Sequence, residues 1–180
     1  MKYKNRTLKV GLLLAFLFLF ALGQSASAAT VTAVATGNWA AGGTWSSGAA
    51  PLLGDDVVIP TGITVTLAAG VGAGVAPRTI TVEGTGSLVT GTFDLFVAQN
   101  AAGGIYINGT SATALDASAG ANLYIGTATY QGDLQNNNNG TVNLTDTTIV
   151  EMSGLLTNSG TMTTAATTRL ILIGSTAVVL

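Results

Sequence analysis

Beyond residue 28 the chain is written in short runs where Val, Ile or Leu alternates with Thr, Asn or another polar residue. A period of two is the mark of a strand with one buried face. Runs of this kind predict strands over 57–59, 63–67, 79–82, 93–97, 105–107, 123–125, 141–144, 148–150 and 170–173, each bounded by Gly, Asn, Asp or Pro. No stretch of this region carries the 3.6-residue period of a long amphipathic helix. The chain is therefore expected to be all-β.

The spacing of the runs narrows the architecture. Ile105-Tyr106-Ile107-Asn108-Gly109-Thr110 recurs as Leu123-Tyr124-Ile125-Gly126-Thr127, an offset of 18 between the two tyrosines. Asn139-Gly140-Thr141-Val142 recurs as Ser159-Gly160-Thr161-Met162, an offset of 20. Offsets near 20 suit one coil of a solenoid whose short strands stack on the coil below. The expected fold is a right-handed parallel β-helix with an N-terminal cap; the alternative is an antiparallel β-sandwich, since regularly spaced hairpins give a similar rhythm. The Asn136–Asn139 run before Gly140 fits a turn, because Asn tolerates left-handed backbone angles. An asparagine ladder at a coil corner is the bolder reading of the same residues.

The N-terminus, over 1–28, follows another pattern. Lys2, Lys4, Arg6 and Lys9 precede an apolar run over 10–22, and a small-residue stretch with Ala26-x-Ala28 follows. That order is the order of a cleavable secretion signal, cut after Ala28. The apolar run falls short of the roughly 20 residues a membrane-spanning helix needs, and there is no Cys to carry a lipid. The expected organisation is a signal peptide over 1–28, an N-terminal cap and first coil over 29–67, and further coils over 68–180. The protein is expected outside the cell or on its surface, with no membrane insertion after cleavage. The last residues, Ala177-Val178-Val179-Leu180, form an apolar strand without a polar cap. Such an end leads us to expect that the coils continue beyond it or that a partner covers it.

Losing the signal changes the charge. Only Arg78 and Arg169 remain as cations, against all eight acids, so the mature chain carries a net charge of −6 and no Lys, His or Cys. Two cations cannot form the basic stripe that phosphate backbones require, which excludes nucleic acid as a partner. Without Cys, stability rests on packing and backbone hydrogen bonds.

Residues 37–67 are the most distinctive stretch. Gly37-Asn38-Trp39 is followed by Gly43-Thr44-Trp45, Pro51, and then Gly54-Asp55-Asp56-Val57-Val58-Ile59-Pro60-Thr61-Gly62-Ile63-Thr64-Val65. This stretch resembles the opening module of bacterial secreted and cell-surface parallel β-helix proteins, related to the G8 type of glycine-rich domain. The resemblance implies a β-helix start, an extracellular or cell-surface location, and a role in adhesion or glycan contact. Surface glycans or other extracellular matrix components are then the expected partners.

Candidate site residues are few. Trp39 and Trp45 suit either a plug over the open end of the first coil or platforms for sugar rings. Tyr106 and Tyr124 recur at the apparent coil offset and form a candidate outward pair; because Ile flanks each, either the Ile set or the Tyr set is buried, and we expect it to be the Ile set. These four are the candidate glycan contacts. Asp55 and Asp56 are weak calcium candidates, but neighbours on a strand point to opposite faces, so a turn or strand-start role is expected instead. A lyase-type base would have to be Arg78 or Arg169, and neither lies in a visible acidic cluster. No nucleophile elbow, phosphate loop or His/Cys metal spacing occurs, so no catalytic residue and no cofactor is assigned. The expected function is that of a structural, adhesin-like surface protein without catalytic activity. The alternative is a carbohydrate-binding module of a larger extracellular polysaccharide-acting protein.

Overall fold

A computed structural model describes residues 28–146, 149–173 and 178–179. They form a β-solenoid of about five turns, with parallel strands throughout its three sheets. The first sheet stacks β1 (Thr30–Thr32), β3 (Asp56–Ile59), β5 (Thr79–Gly84), β8 (Gly103–Gly109), β11 (Gly132–Asn136), β14 (Leu156–Asn158) and β17 (Val178–Val179). The second stacks β2 (Gly37–Asn38), β4 (Thr64–Thr66), β6 (Ser87–Val89), β9 (Leu115–Asp116), β12 (Thr141–Leu144) and β15 (Thr161–Thr164). The third stacks β7 (Leu95–Val97), β10 (Leu123–Ile125), β13 (Ile149–Met152) and β16 (Arg169–Leu172). The only helices described are two single 3-10 turns, Gly42–Thr44 and Ala73–Val75. The sandwich alternative is thereby set aside.

Inward positions form columns, each side chain lying over its counterpart one coil away. On the first sheet Val31, Val57, Ile80, Ile105, Leu134 and Leu156 follow one another in register, all at most 3% exposed. Val65, Leu88, Leu115 and Val142 do the same on the second sheet, and Leu95, Leu123 and Val150 on the third. Because each residue packs against like residues above and below, branched aliphatic chains of similar size fill a narrow core without large aromatics.

Coil length varies more than the sequence rhythm suggests. Thr141 pairs with Thr161, matching the offset of 20 read from the two Gly-Thr repeats. The offset of 18 between Tyr106 and Tyr124 is not a coil: Tyr106 pairs with Thr81 and Gln135 on the first sheet, while Tyr124 pairs with Phe96 and Glu151 on the third. The two similar runs are the first and third sides of one coil, with β9 as the side between them. Both want the same pattern because both sides bury alternate residues in the same core.

The asparagine ladder exists, with two rungs at Asn136 and Asn158 rather than along the Asn136–Asn139 run. Asn136 is fully buried, and its Nδ2 donates to Gly140 O at 2.8 Å and to Asn158 Oδ1 at 2.9 Å. Asn137 reaches the previous coil through its Nδ2, which donates to Asn108 Oδ1 at 3.0 Å.

The ends of the solenoid differ. Backbone hydrogen bonds from Val34 N to Thr44 O and from Ser46 N to Thr32 O lay residues 44–46 across the first coil, bringing Trp45 against Ala33 in an antiparallel bridge. At the other end Leu170 and Leu172 are 45% and 43% exposed, whereas their register partners Val150 and Met152 are buried. Residues 1–27 lie outside the described residues, as do 177 and 180, so the signal peptide and the full apolar C-terminal strand stay as expectations. Val178–Val179 pairs with Leu156–Thr157. Among the described residues no helix is long and apolar enough to cross a membrane.

Candidate functional site

The tryptophans are used as a plug. Trp45 is 2% exposed and Trp39 6%, and their rings meet edge to face with centroids 5.0 Å apart. Trp45 Nε1 donates to Trp39 O at 2.6 Å, which satisfies the one polar atom of a buried indole. Neither ring has a free face to stack on a sugar. An apolar cleft of about 240 Å³ does run past Trp39, between Pro51, Leu52, Gly70, Val71 and Val75.

Tyr124 is outward but already stacked. Its ring lies 4.3 Å from that of Phe96, one coil earlier, at an interplanar angle of 17°. Burial, reinforced by Asp94 and Glu151, pushes its hydroxyl above the usual tyrosine range. Packing of aromatic neighbours on adjacent strands contributes to sheet stability in its own right. Tyr124 and Phe96 therefore form a lateral rung of the ladder, and the proposed Tyr106–Tyr124 pair does not form.

Asp55 and Asp56 serve separate structural tasks. Asp55 accepts from Leu52 N at 2.8 Å and from Ala29 N at 3.3 Å, tying the turn before β3 to the residue before β1. Asp56 accepts from Arg78 through both Nε, at 2.8 Å, and Nη2, and from Thr79 Oγ1 at 2.7 Å. This fork-to-fork contact bridges β3 to the residue before β5. It also shows what the sequence did not: the cation and the acid are one coil apart and meet on the outer face of the first sheet. Among the described residues no group of three His, Cys, Asp or Glu is placed to hold a metal ion, and the calcium candidates face different partners.

The Arg78 hydrogen bond is the main reason the Asp56 carboxyl sits below the usual carboxylate range. A lowered folded-state pKa stabilises the fold above the unfolded value and loses that contribution as pH falls through the folded one. Asp56→Asn is expected to cost about 0.5–1 kcal/mol at neutral pH, the size of a partly exposed ion pair. The gap between parent and variant urea midpoints should then narrow as pH drops below 3.8; a gap that is constant with pH would refute the assignment.

Arg78 also borders a polar groove that it shares with one other candidate residue, Tyr106. Thr79, Ala102, Gly103, Tyr106, Gln131 and Asp133 complete its lining, around an open volume of about 360 Å³. The outward column here runs Asp56, Thr79, Gly104, Asp133 in register, so the β8 rung carries no side chain. Glycine is required there for a local reason. At a φ of +150°, a Cβ on Gly104 would lie 2.7 Å from Asp133 N. Tyr106, further along the same strand, forms a wall of the groove. Asp133 accepts from Gln135 Nε2 at 2.9 Å, Gln131 Nε2 at 3.1 Å and Leu155 N at 2.7 Å. Burial and the Asp133 charge push the Tyr106 hydroxyl above its usual range, so it stays a hydrogen-bond donor through neutral pH. Arg169 is on the third sheet, exposed at the start of β16, and takes no part in the groove.

The sequence pointed to Arg78 and Tyr106 separately and missed Asp133, Gln131 and Gly104, whose roles depend on coil register. No family model, curated protein or solved structure matches the chain.

Proposed function

We propose that the chain is an exported, non-catalytic β-solenoid that acts as a structural and adhesive element outside the cell or at its surface. The observation that carries this reading is how the candidate side chains are used. Tyr124 and Asp56 spend their contacts on a neighbouring coil, Asp55 ties its own turn to the residue before β1, and Trp39 and Trp45 pack on each other. The outer faces of the solenoid are rich in Thr, Asn and Gly and carry few charges. The start over 37–67, similar to the G8 type, and the signal-like stretch over 1–28 support an extracellular setting. The second reading, a carbohydrate-binding module of a larger polysaccharide-acting protein, is favoured by one observation, the groove beside Tyr106.

Beads coated with the mature chain should be retained on the surface of the producing cells, and retention should fall when free protein competes. The same protein should release no reducing ends from polysaccharides. Beads that wash off like albumin-coated ones would refute the adhesive role, and sugar release abolished by Arg78→Ala would refute the non-catalytic one.

A further inference from the structure

We infer that the groove beside Gly103 and Tyr106 is a binding site for one ring of an uncharged glycan. This deepens the adhesive reading and rests on it for the source of the ligand. Three features point to the ligand class. The first is shape. An open groove of about 360 Å³ lies between Thr79 and Asp133, beside Gly103 and Tyr106, and these two residues stand two strand spacings apart, about 9.5 Å. One pyranose ring is of that size.

The second is the lining. Tyr106 offers an amphipathic aromatic wall, the kind of surface against which the C–H face of a sugar packs. Around it stand planar polar groups that a ring's hydroxyls can engage in pairs. Arg78 uses Nε and Nη2 on Asp56, which leaves the N–H groups of Nη1. Asp133 Oδ2 accepts only from Gln135 and has a second lone pair, and Gln131 contributes an amide at the rim. These groups are already fixed by contacts with one another and with the backbone, so little ordering is needed on binding.

The third is charge. Asp133 lines the groove and Asp56 pairs with its one cation, Arg78, so the local charge is negative, and the mature chain is at −6. A uronate or sulfated sugar would meet that excess of negative charge, whereas a neutral ring meets donors and acceptors only. A metal ion is disfavoured because Asp56 is held by Arg78 and Asp133 already accepts three hydrogen bonds.

The test is titration of the mature protein with cellohexaose, xylohexaose, mannohexaose, maltohexaose and hexagalacturonate, followed by calorimetry and by amide NMR shifts. At least one neutral probe should bind and move the Gly103 and Gly104 amides, while hexagalacturonate does not. Tyr106→Ala should weaken that binding about five- to tenfold, the loss of one aromatic contact, whereas Tyr106→Phe keeps most of it and Tyr124→Ala leaves it unchanged. Should Tyr106→Ala fail to fold, the amide shifts in the parent decide alone. The inference is overturned if no neutral probe binds, if the shifts map away from the groove, if hexagalacturonate binds best, or if a folded Tyr106→Ala binds like the parent. Any of these results leaves bead retention on cells as a separate question, since adhesion through another face would survive it.

Discussion

Ile105→Ala is expected to destabilise the protein by about 3–5 kcal/mol, enough to remove a large share of a typical domain's stability. Ile105 is fully buried at the middle of the solenoid, with Ile80 above it and Leu134 below. Truncation takes away the transfer energy of three carbons and leaves a cavity that the flanking coils can close only by shifting two strand interfaces at once. A stack of coils behaves as a one-dimensional array in which each coil is stabilised by its neighbours. Loss at the centre weakens both halves, so the whole chain should unfold at lower denaturant in one transition. Ile105→Val keeps most of the packing and should cost about 0.5–1.5 kcal/mol. Urea melts followed by circular dichroism check both values; an Ile105→Ala cost under about 1 kcal/mol would mean that the column is not a close-packed core.

Trp45→Ala is expected to cost a similar amount, about 3–5 kcal/mol, but to show a different pattern. The ring closes the first coil, and its Nε1 holds the Trp39 carbonyl. Removal opens the core at one end and frees the edge-to-face partner. Hydrogen exchange should therefore quicken most in β1 to β4 and least around β12 and β13, the far side of the array. Trp45→Phe keeps an aromatic plug of smaller volume and loses the hydrogen bond, so its cost should fall between about 1 kcal/mol for the bond alone and that of Trp45→Ala. Uniform loss of protection along the chain would contradict the role of a plug.

Much of this architecture was legible in the residue pattern. All nine strands expected from alternation are present, and their ends lie close to the expected ones, because each carries branched or aliphatic residues on its inward face. Strands β1, β6, β11 and β14 escaped notice because each places only one large aliphatic inward, Val31, Leu88, Leu134 and Leu156. In β11, Gly132-Asp133-Leu134-Gln135-Asn136, one inward position is Asn136, which is tolerated in the core only through its bonds to Gly140 and Asn158. Strands β2 (Gly37–Asn38) and β9 (Leu115–Asp116) are too short for any periodicity to register. The parallel stacking was readable beside Gly140 and Gly160, where Thr141 pairs with Thr161 at the spacing of the repeat. It was not readable from the tyrosines, because Tyr106 pairs with Gln135 across a longer coil. Variable loops hide the register, and the register is what makes a site.

The groove illustrates the same limit. Nothing in the local sequence of Arg78, Gly104 or Asp133 links them, since each belongs to a different coil. Their meeting follows from parallel stacking, which places equivalent positions of successive coils about 4.8 Å apart regardless of loop length. For Trp39 and Trp45 the sequence offered a plug over the first coil or a platform for sugar rings, and it is their burial that favours the plug.

The account depends most on the chain working outside the cell. The direct measurement is fractionation of the producing cells with N-terminal sequencing of the protein recovered. The account predicts a chain beginning at Ala29 in the medium or surface fraction, digestible by protease added to intact cells. A chain recovered from the cytoplasm with the stretch over 1–28 still attached would contradict it.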